Sequence, residues 1–193
     1  KQSLILPVKK AGQTNFGVWT QEAEVDLATL KTVKSAKDAF FPQSETLYTC
    51  QRDGKALSLT PEKLEEEAFV VSGIKACDVR GIQVLDKVFM SEPVDSFYCA
   101  RRKHGIIVSL ACGQPEESCF CKVFGVDCAE PEGDVVTWIA DGFLYWKAAT
   151  EKGEALMKAS HQIAWENEDI IAPVVDCMFF QQITKGRLVV PEK

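Results

Sequence analysis

Two apolar runs, each followed closely by a cysteine, constrain the fold of this chain more than any other feature. The first is AFVVSGI at residues 68–74, followed by KACD, and the second is IIVSLA at residues 106–111, followed by Cys112. Uninterrupted runs of this length are typical of strands buried on both faces of a parallel sheet. Between them, apolar residues recur at helical spacing over residues 82–89. The pattern therefore predicts a parallel βαβ unit whose two strands end at the same edge.

Strand-like segments on either side predict antiparallel pairs around this unit. Residues 4–10 predict an edge strand interrupted by Pro7, and residues 16–25 alternate as its partner would. Asp-Gly pairs at 53–54 and 141–142 each lie between two strand-like segments, which is typical of hairpin turns. We therefore expect a small N-terminal β-meander and two hairpins.

Two further helices are expected. Thr60-Pro61 before residues 62–67 combines an N-cap residue, a first-turn proline and acidic residues, which favours a helix start. Residues 151–166 predict a second helix, whereas the tail gives mixed signals over 168–180 and a late strand at 187–190. The expected fold class is α/β or α+β, with a short parallel βαβ core and flanking antiparallel hairpins. We expect one domain over residues 1–193, made of a β-rich part at 1–60, a cysteine-bearing α/β part at 68–150 and a C-terminal extension at 151–193.

Composition excludes several classes of function. The 193 residues carry 28 acidic and 22 basic side chains, a net charge of -6, which argues against a general nucleic-acid binder. No apolar run reaches the ~18 residues of a membrane span, and no signal-peptide core is evident, so we expect a cytoplasmic protein. Eight cysteines against two histidines direct attention to thiol chemistry, because thiols in a reducing compartment persist as thiols, metal ligands or redox centres.

Four cysteines are candidate ligands of one metal centre. Cys77 and Cys112 follow neighbouring strand ends, and Cys119 and Cys121 lie in the next loop, a C-x6-C-x-C pattern. Two metal groups suit four thiolates: an iron–sulfur cluster and a tetrahedral zinc ion. The spacing separates them poorly, since neither the paired C-x2-C form of zinc sites nor the C-x2-C-x2-C run of ferredoxins is present. Cys77 and Cys112 could also be buried strand-end residues without a ligand role.

Basic residues near the same edge could compensate an anionic centre. Cys77 is expected at a helix N-terminus, where the dipole and open N–H groups favour negative charge. Lys75, Arg80, Arg101 and Arg102 are close in sequence to this edge. We therefore expect the three arginines to contribute to cofactor binding.

The motifs together resemble a known family. They are KSAKDAFFPQSETL at 34–47, GIKACDVRGI at 73–82, LDKVF at 85–89, Phe97-Tyr98 before Arg101-Arg102, and Cys112 with Cys119-Phe120-Cys121. In order and spacing, residues 10–155 resemble the amino-terminal region of the iron–sulfur subunits found in anaerobic sulfite reductase and, as the β subunit, in hydrogenase (sulfur reductase).

This resemblance implies a cytoplasmic electron-transfer subunit of a multi-subunit anaerobic oxidoreductase. Its partners would be redox subunits: a flavoprotein, a hydrogenase or a terminal reductase. The cofactor expected is one [4Fe–4S] cluster held by Cys77, Cys112, Cys119 and Cys121. The ferredoxin-like C-x2-C-x2-C runs with which family members continue do not occur in this sequence. We therefore expect either a piece of a longer chain or a version whose relay partner is another chain.

Other interpretations stay open at this point. The protein could be a non-redox assembly module whose cysteines hold zinc or remain free thiols, or a thiol enzyme with Cys119 and Cys121 as a redox pair. Cys128 is the leading substitute should one proposed ligand be wrong, whereas Cys50 and Cys99 are expected to be core or surface thiols.

Overall fold

The computed structural model describes the backbone of residues 3–140 and 143–166, which form a mixed sheet covered by helices. The strands are β1 (Ser3–Lys10), β2 (Gln13–Val18), β3 (Glu24–Val25), β4 (Tyr48–Asp53), β5 (Ala56–Pro61), β6 (Phe69–Ile74), β7 (Gly105–Leu110), β8 (Val135–Ala140) and β9 (Phe143–Ala148). The helices are α1 (Ala76–Phe89), α2 (Ser96–His104) and α3 (Glu151–Glu166), with short 3-10 helices at Ala36–Ala39 and Cys121–Phe124.

The main sheet has the strand order β2-β1-β6-β7-β8-β9, with β3 also pairing with β1. Strands β1, β6, β7 and β8 are parallel, and β2, β3 and β9 are antiparallel to their neighbours. The α/β class, the βαβ unit β6-α1-β7 and the hairpin β8-β9 predicted from the sequence are confirmed. Helix α2, which also lies between β6 and β7, was not predicted.

Both faces of the sheet are buried, which is why β6 and β7 are apolar without alternation. On one face, Val71 and Ile107 pack with Ile82 of α1, Tyr98 of α2 and Phe40. The opposite face has its own buried cluster, against which Leu156 and Met157 of α3 pack. Its members are Val70, Ile106, Val108, Val135 and Trp146. The resulting two cores hold the strand ends in fixed positions.

The expectation that the first strand lies at an edge is wrong, because β1 lies between β2 and β6. Pairing with β6 covers only Ser3–Ile5. The carbonyl of Pro7 accepts from Asp26 N at 3.0 Å, on the side of the strand where β3 pairs. A proline is therefore tolerated in an internal strand because the ladder to β6 has already ended there.

Gly73 explains how Pro7 fits against β6. Gly73 has φ +83°, and the register with β7 shifts between Ser72 and Ile74, so β6 contains a β-bulge. A Cβ at Gly73 would lie 2.9 Å from Cδ of Pro7. The bulge and the proline ring thus depend on each other.

The hairpin β4-β5 forms a separate two-stranded sheet. Its predicted turn at Asp53-Gly54 is confirmed. Every residue of both strands is exposed, including Tyr48, Leu57 and Leu59, each more than 60% exposed.

The helix predicted at residues 62–67 is wrong, since Thr60 and Pro61 complete β5 and the following residues are irregular. Four of these six residues are glutamates, and Leu64 is 43% exposed, so the segment has no apolar face to pack. Isolated helices this short are marginal in water.

The helix expected from residue 151 is confirmed as α3. The tail predicted to contain a strand at 187–190 lies outside the described residues. Among the helices of the described part, none has the length and apolar character of a membrane span.

Candidate metal centre

Five cysteines line one cavity of about 620 Å³ at the carboxyl edge of β6 and β7. They are Cys77, Cys112, Cys119, Cys121 and Cys128. The four predicted ligands therefore line one cavity, together with Cys128, the predicted substitute ligand.

Each thiol reaches the cavity from a different structural element. Cys77 is the second residue of α1, and Cys112 lies two residues beyond the end of β7. Because β6 and β7 are parallel, their carboxyl ends meet at one edge, where ligands of open α/β sheets collect. Cys121 begins the short 3-10 helix, and Cys128 lies on the segment that leads to β8.

Backbone hydrogen bonds fold the cysteine loop against the strand end. Cys112 N donates to the carbonyl of Cys128 at 2.9 Å, which closes the loop at its base. Cys119 N donates to the carbonyl of Glu116 at 2.9 Å, and Glu116 N donates to Sγ of Cys119 at 3.4 Å. These bonds fix where the thiols project, because each one ties a cysteine to another part of the same loop.

Leu30 and Lys31, from a segment that the sequence did not connect with the site, also line the cavity. Asp26 organises this segment by accepting from the hydroxyls of Thr14 and Thr29, both at 2.6 Å. These two hydroxyl bonds lower the Asp26 pKa to about 2. Lys31 then pairs with Glu116 at 3.2 Å and donates to the Ser118 hydroxyl. Lys31 and Ser118 are 87 positions apart in the sequence, so no local sequence pattern indicates their contact.

The surroundings favour the protonated form of the thiols. Burial raises the pKa of Cys77, Cys112 and Cys121, and neighbouring cysteines raise each of them further. The pKa of Cys121 reaches about 11. A metal cation would reverse this preference, because thiolates bind it directly and release their protons.

Lys75 supplies positive charge at the same place. It is the partly buried N-cap residue of α1 and lines the cavity. Burial lowers the pKa of its ammonium, and thiolate charge at Cys112 and Cys77 opposes that effect. The first N–H groups of α1 add to the positive potential. The cavity is thus suited to an anionic occupant.

None of the three arginines expected at the site lines the cysteine cavity. Arg80 is exposed on α1, donates to Gln83 Oε1 at 3.1 Å and does not line the cysteine cavity. Arg101 and Arg102 belong to α2, which ends immediately before β7 begins. They therefore lie at the amino end of β7, about 20 Å from the cysteine edge for a strand of this length. Because both arginines come before the predicted strand and Cys112 comes after it, chain order already places them at opposite ends of that strand.

Each of these two α2 arginines has its own carboxylate partner. Arg101 pairs with Glu45 at 2.8 Å and also donates to the carbonyl of Phe40 at 2.7 Å. Arg102 makes two bonds to Asp86, at 2.7 and 2.8 Å, and its guanidinium carbon lies 5.3 Å from the centre of the Phe40 ring. Both guanidinium groups are thereby committed to holding the fold together.

Two other cysteines of the described residues do not line the cavity. Cys50 is on the exposed hairpin, and Cys99 on α2 donates to the carbonyl of Phe89 at 3.9 Å. Cys177 lies outside the described residues.

Thiols are donors that both zinc and iron–sulfur clusters use. A single tetrahedral zinc ion needs its sulfurs about 2.3 Å from one centre. Among the described residues, no three histidine, cysteine or acidic side chains are grouped closely enough to hold one ion. In a [4Fe–4S] cluster each of the four cysteines binds a different iron, so its ligands do not converge on a single atom. Soft thiolates are also the ligands that such clusters use.

Comparison with known proteins supports the expected resemblance. Over 171 residues, 88% of this chain, the sequence is 31% identical to "Sulfhydrogenase 2 subunit beta" of Pyrococcus furiosus. The match covers 47% of that protein, so the chain spans about half the length of this curated relative. No protein-family profile matches the chain, and no solved structure shows significant similarity to it. The resemblance to the hydrogenase β subunits, predicted from the motifs, is confirmed.

Proposed function

We propose that the chain holds one [4Fe–4S] cluster through Cys77, Cys112, Cys119 and Cys121 and relays single electrons within a larger oxidoreductase. The observation that carries the proposal is the convergence of five cysteines on one cavity at the carboxyl edge of a parallel βαβ unit. The similarity to a protein named as a sulfhydrogenase subunit is consistent with a redox role.

The residues of the chain have separate tasks in this proposal. The four thiolates hold the cluster, which supplies one-electron oxidation and reduction when bound. Lys75 and the start of α1 offset the negative charge that the thiolates bring. Leu30 and Phe120 give the same cavity an apolar part of its lining. Burial and local charge are the levers by which a protein adjusts such a centre.

The proposal also includes partner subunits. A relay needs a donor and an acceptor, and we expect these to be a flavoprotein, hydrogenase or reductase subunit in an anaerobic cytoplasmic complex. The relative is itself named as a subunit. We expect this chain to make and break no bonds in a substrate.

Anaerobic reconstitution tests the proposal. The purified chain is incubated with ferrous iron and sulfide under reducing conditions, desalted, and assayed for iron, acid-labile sulfide, visible absorption and EPR after reduction. We expect four irons per chain, broad visible absorption and a low-temperature EPR signal, as a cluster of this type requires.

Two variants make the assignment specific. Cys77→Ala should lose the bound iron, because it removes a proposed ligand. Cys50→Ala is the matched control, since Cys50 lies on the hairpin outside the cavity, and it should bind as much iron as the wild type. Stoichiometric zinc binding with no iron uptake would support the assembly-module interpretation instead. Equal iron loss in both variants would mean that the cavity is not the site.

A further inference from the structure

The hairpin β4-β5 has two chemically different faces. Residues directly opposite each other in an antiparallel pair project to the same side. One side is mostly polar, and its members are Thr49, Gln51, Asp53, Ala56, Ser58 and Thr60. The other side is mostly apolar and is named the hairpin face. It consists of three cross-strand pairs: Tyr48 with Pro61, Cys50 with Leu59, and Arg52 with Leu57.

The hairpin face is open to solvent in the described part of the chain. Tyr48, Leu57 and Leu59 are 63%, 63% and 62% exposed, and neither strand of the hairpin pairs with the main sheet. An isolated two-stranded hairpin is at best marginally stable in water and gains stability when another layer covers its apolar side. The hairpin face is therefore expected to pack against a further surface.

Charge is unevenly distributed along the hairpin. At the tip, Arg52 and Lys55 outnumber Asp53. At the base, Glu62 N donates to the carbonyl of Leu47 at 2.9 Å, and the next five residues carry three glutamates and one lysine. Among the described residues, none of these charged side chains forms an ion pair. The hairpin thus has a positive tip and a negative base.

This charge pattern is complementary to a second copy of itself. Packed sheets lie face to face about 10 Å apart. A two-fold axis between two hairpin faces, perpendicular to the strands, places the tip of each hairpin over the base of the other. Opposite charges then meet at both ends. An axis parallel to the strands would instead place tip over tip and bring like charges together, which is unfavourable.

The same arrangement also matches the side chains. Cys50 and Leu59 form the central pair of the hairpin face, so each lies over the same residue of the second copy. Arg52, on the tip pair, lies over Tyr48 of the second copy, on the base pair. A guanidinium group over a tyrosine ring is a favourable cation–π arrangement.

We propose that the hairpin face binds a second copy of this chain, with the tip of each hairpin over the base of the other. The six side chains of the face bury on the order of 400 Å² per copy, about half of a standard interface, so the dimer is weak and reversible. No residue of the hairpin face lines the cysteine cavity, so this inference does not rest on the proposed function.

Sedimentation of the full chain under reducing conditions tests the proposal. For a dissociation constant on the order of 100 µM, the concentration is varied from about 5 µM to about 1 mM. We expect the average mass to rise from the 21.4 kDa of one copy towards twice that value. Leu59→Glu places like charges over each other in the contact and should weaken association at least about tenfold. Ser58→Glu is the matched control, because it adds the same charge on the polar side, and it should associate as the wild type does.

Two further measurements test the orientation of the copies. Arg52→Glu and Tyr48→Lys should each weaken association, whereas the double variant should associate more strongly than either, because it restores opposite charges across the contact. A short bismaleimide should join two copies through Cys50, because their strands lie about 10 Å apart there. Cys50→Ser and Leu59→Glu should each lose this covalent dimer.

Several outcomes would overturn the proposal. A chain that stays monomeric at the highest concentration would show that the hairpin face belongs to another subunit or to another part of the chain. Association that survives Leu59→Glu, or that Ser58→Glu abolishes as well, would place the contact elsewhere. A double charge variant no stronger than the single variants would exclude the tip-over-base arrangement. Circular dichroism checks folding, and Leu57→Glu replaces Leu59→Glu if that variant does not fold.

Discussion

The parallel strands β6 and β7 have two very different ends. At the amino end of β7, Arg101 pairs with Glu45 and Arg102 with Asp86, and side chains of both pairs are at most 24% exposed. At the carboxyl end, five thiols and Lys75 line one cavity. In the part of the chain that the structure describes, no carboxylate forms an ion pair with Lys75.

At the amino end the charged side chains stabilise the fold, whereas at the carboxyl end the thiols and Lys75 line a cavity suited to a bound group. Paired guanidinium and carboxylate groups satisfy one another and leave nothing for a ligand to bind. Thiols with raised pKa values, grouped around a cavity, are instead typical of a functional site. Three substitutions and one labelling experiment test this contrast, beginning with the one expected to have the largest effect.

Removing the carboxylate at the amino end should destabilise the fold most. Asp86→Ala leaves the largely buried Arg102 guanidinium without its partner and removes an acceptor of the Tyr98 hydroxyl, which lies 2.6 Å away. We expect the free energy of unfolding to fall by about 3 kcal/mol, as for other broken buried pairs. Urea denaturation of the metal-free proteins measures the change.

The control for Asp86→Ala is Glu154→Ala, because Glu154 pairs with Lys158 on an exposed helix surface, where both side chains are more than 60% exposed. We expect it to change stability by less than about 0.5 kcal/mol. Burial opposes ionisation of Asp86, but Arg102 and Tyr98 outweigh it and lower its pKa. The stability that ionised Asp86 contributes should therefore be present above about pH 4 and be lost as the pH falls further. Equal effects of the two variants would contradict the structural role of the amino end.

Thiol reactivity should show the opposite character of the carboxyl end. Because the pKa of Cys121 is raised from 9.0 to about 11, its thiolate fraction at neutral pH should be about 100-fold below that of an ordinary cysteine. Iodoacetamide labelling of the metal-free protein, followed by mass spectrometry, should therefore be slow at Cys121 and rise about tenfold per pH unit up to about pH 11.

The same residue in urea-unfolded protein is the reference for this labelling. A plateau below pH 9 in the folded protein would show that Cys121 ionises normally. The raised pKa of Cys121 also predicts that the free energy of unfolding depends on pH. Since the folded pKa is the higher one, the contribution of this thiol is fully present below about pH 8.5 and is lost as the pH rises towards 11.

Lys75 should influence the reduction potential of the reconstituted centre. Lys75→Met removes a positive charge beside the thiols, so reduction should become harder and the midpoint potential should fall. A unit charge at this range through partly solvated protein gives on the order of 1 kcal/mol, or about 50 mV for one electron. Lys75→Arg keeps the charge and should keep the potential. An unchanged potential in Lys75→Met, measured by EPR-monitored titration, would remove Lys75 from the site.

Lys31 should have the smallest effect. Its pair with Glu116 joins the segment 26–33 to the cysteine loop, but the two side chains are 43% and 50% exposed. Exposed pairs contribute little, so Lys31→Ala should lower the free energy of unfolding by less than about 1 kcal/mol. A loss near that of Asp86→Ala would mean that charge pairs stabilise both ends alike. Urea denaturation of Lys31→Ala and Asp86→Ala under the same conditions measures both losses of stability.

The sequence predicted the centre of the molecule better than its periphery. The runs before Cys77 and Cys112 indicated two parallel strands because strands buried on both faces need no alternation. From that topology it followed that both cysteines should lie at one edge, and they line one cavity there. The helix expected at residues 62–67 failed because its capping signals lacked an apolar face to pack.

Long-range contacts set the limit of prediction at the site. Chain order placed Arg101 and Arg102 at the amino end of β7, but no local pattern indicated their pairs with Glu45 and Asp86. Lys31 contacts Ser118 of the cysteine loop, 87 positions away in the sequence. Such contacts depend on the complete sheet and not on local propensity.

The bulge at Gly73 has a consequence for anyone who wishes to transplant this thiol pocket to another scaffold. Residues Phe69–Ile74 span the same length of ladder as Gly105–Ser109, so β6 carries one residue more than its neighbour before α1 begins. On a regular strand that surplus residue would be missing, and a slip of one position turns each following side chain to the opposite face. A grafted pocket would therefore need the irregular strand and its Pro7 neighbour as well as the cysteines.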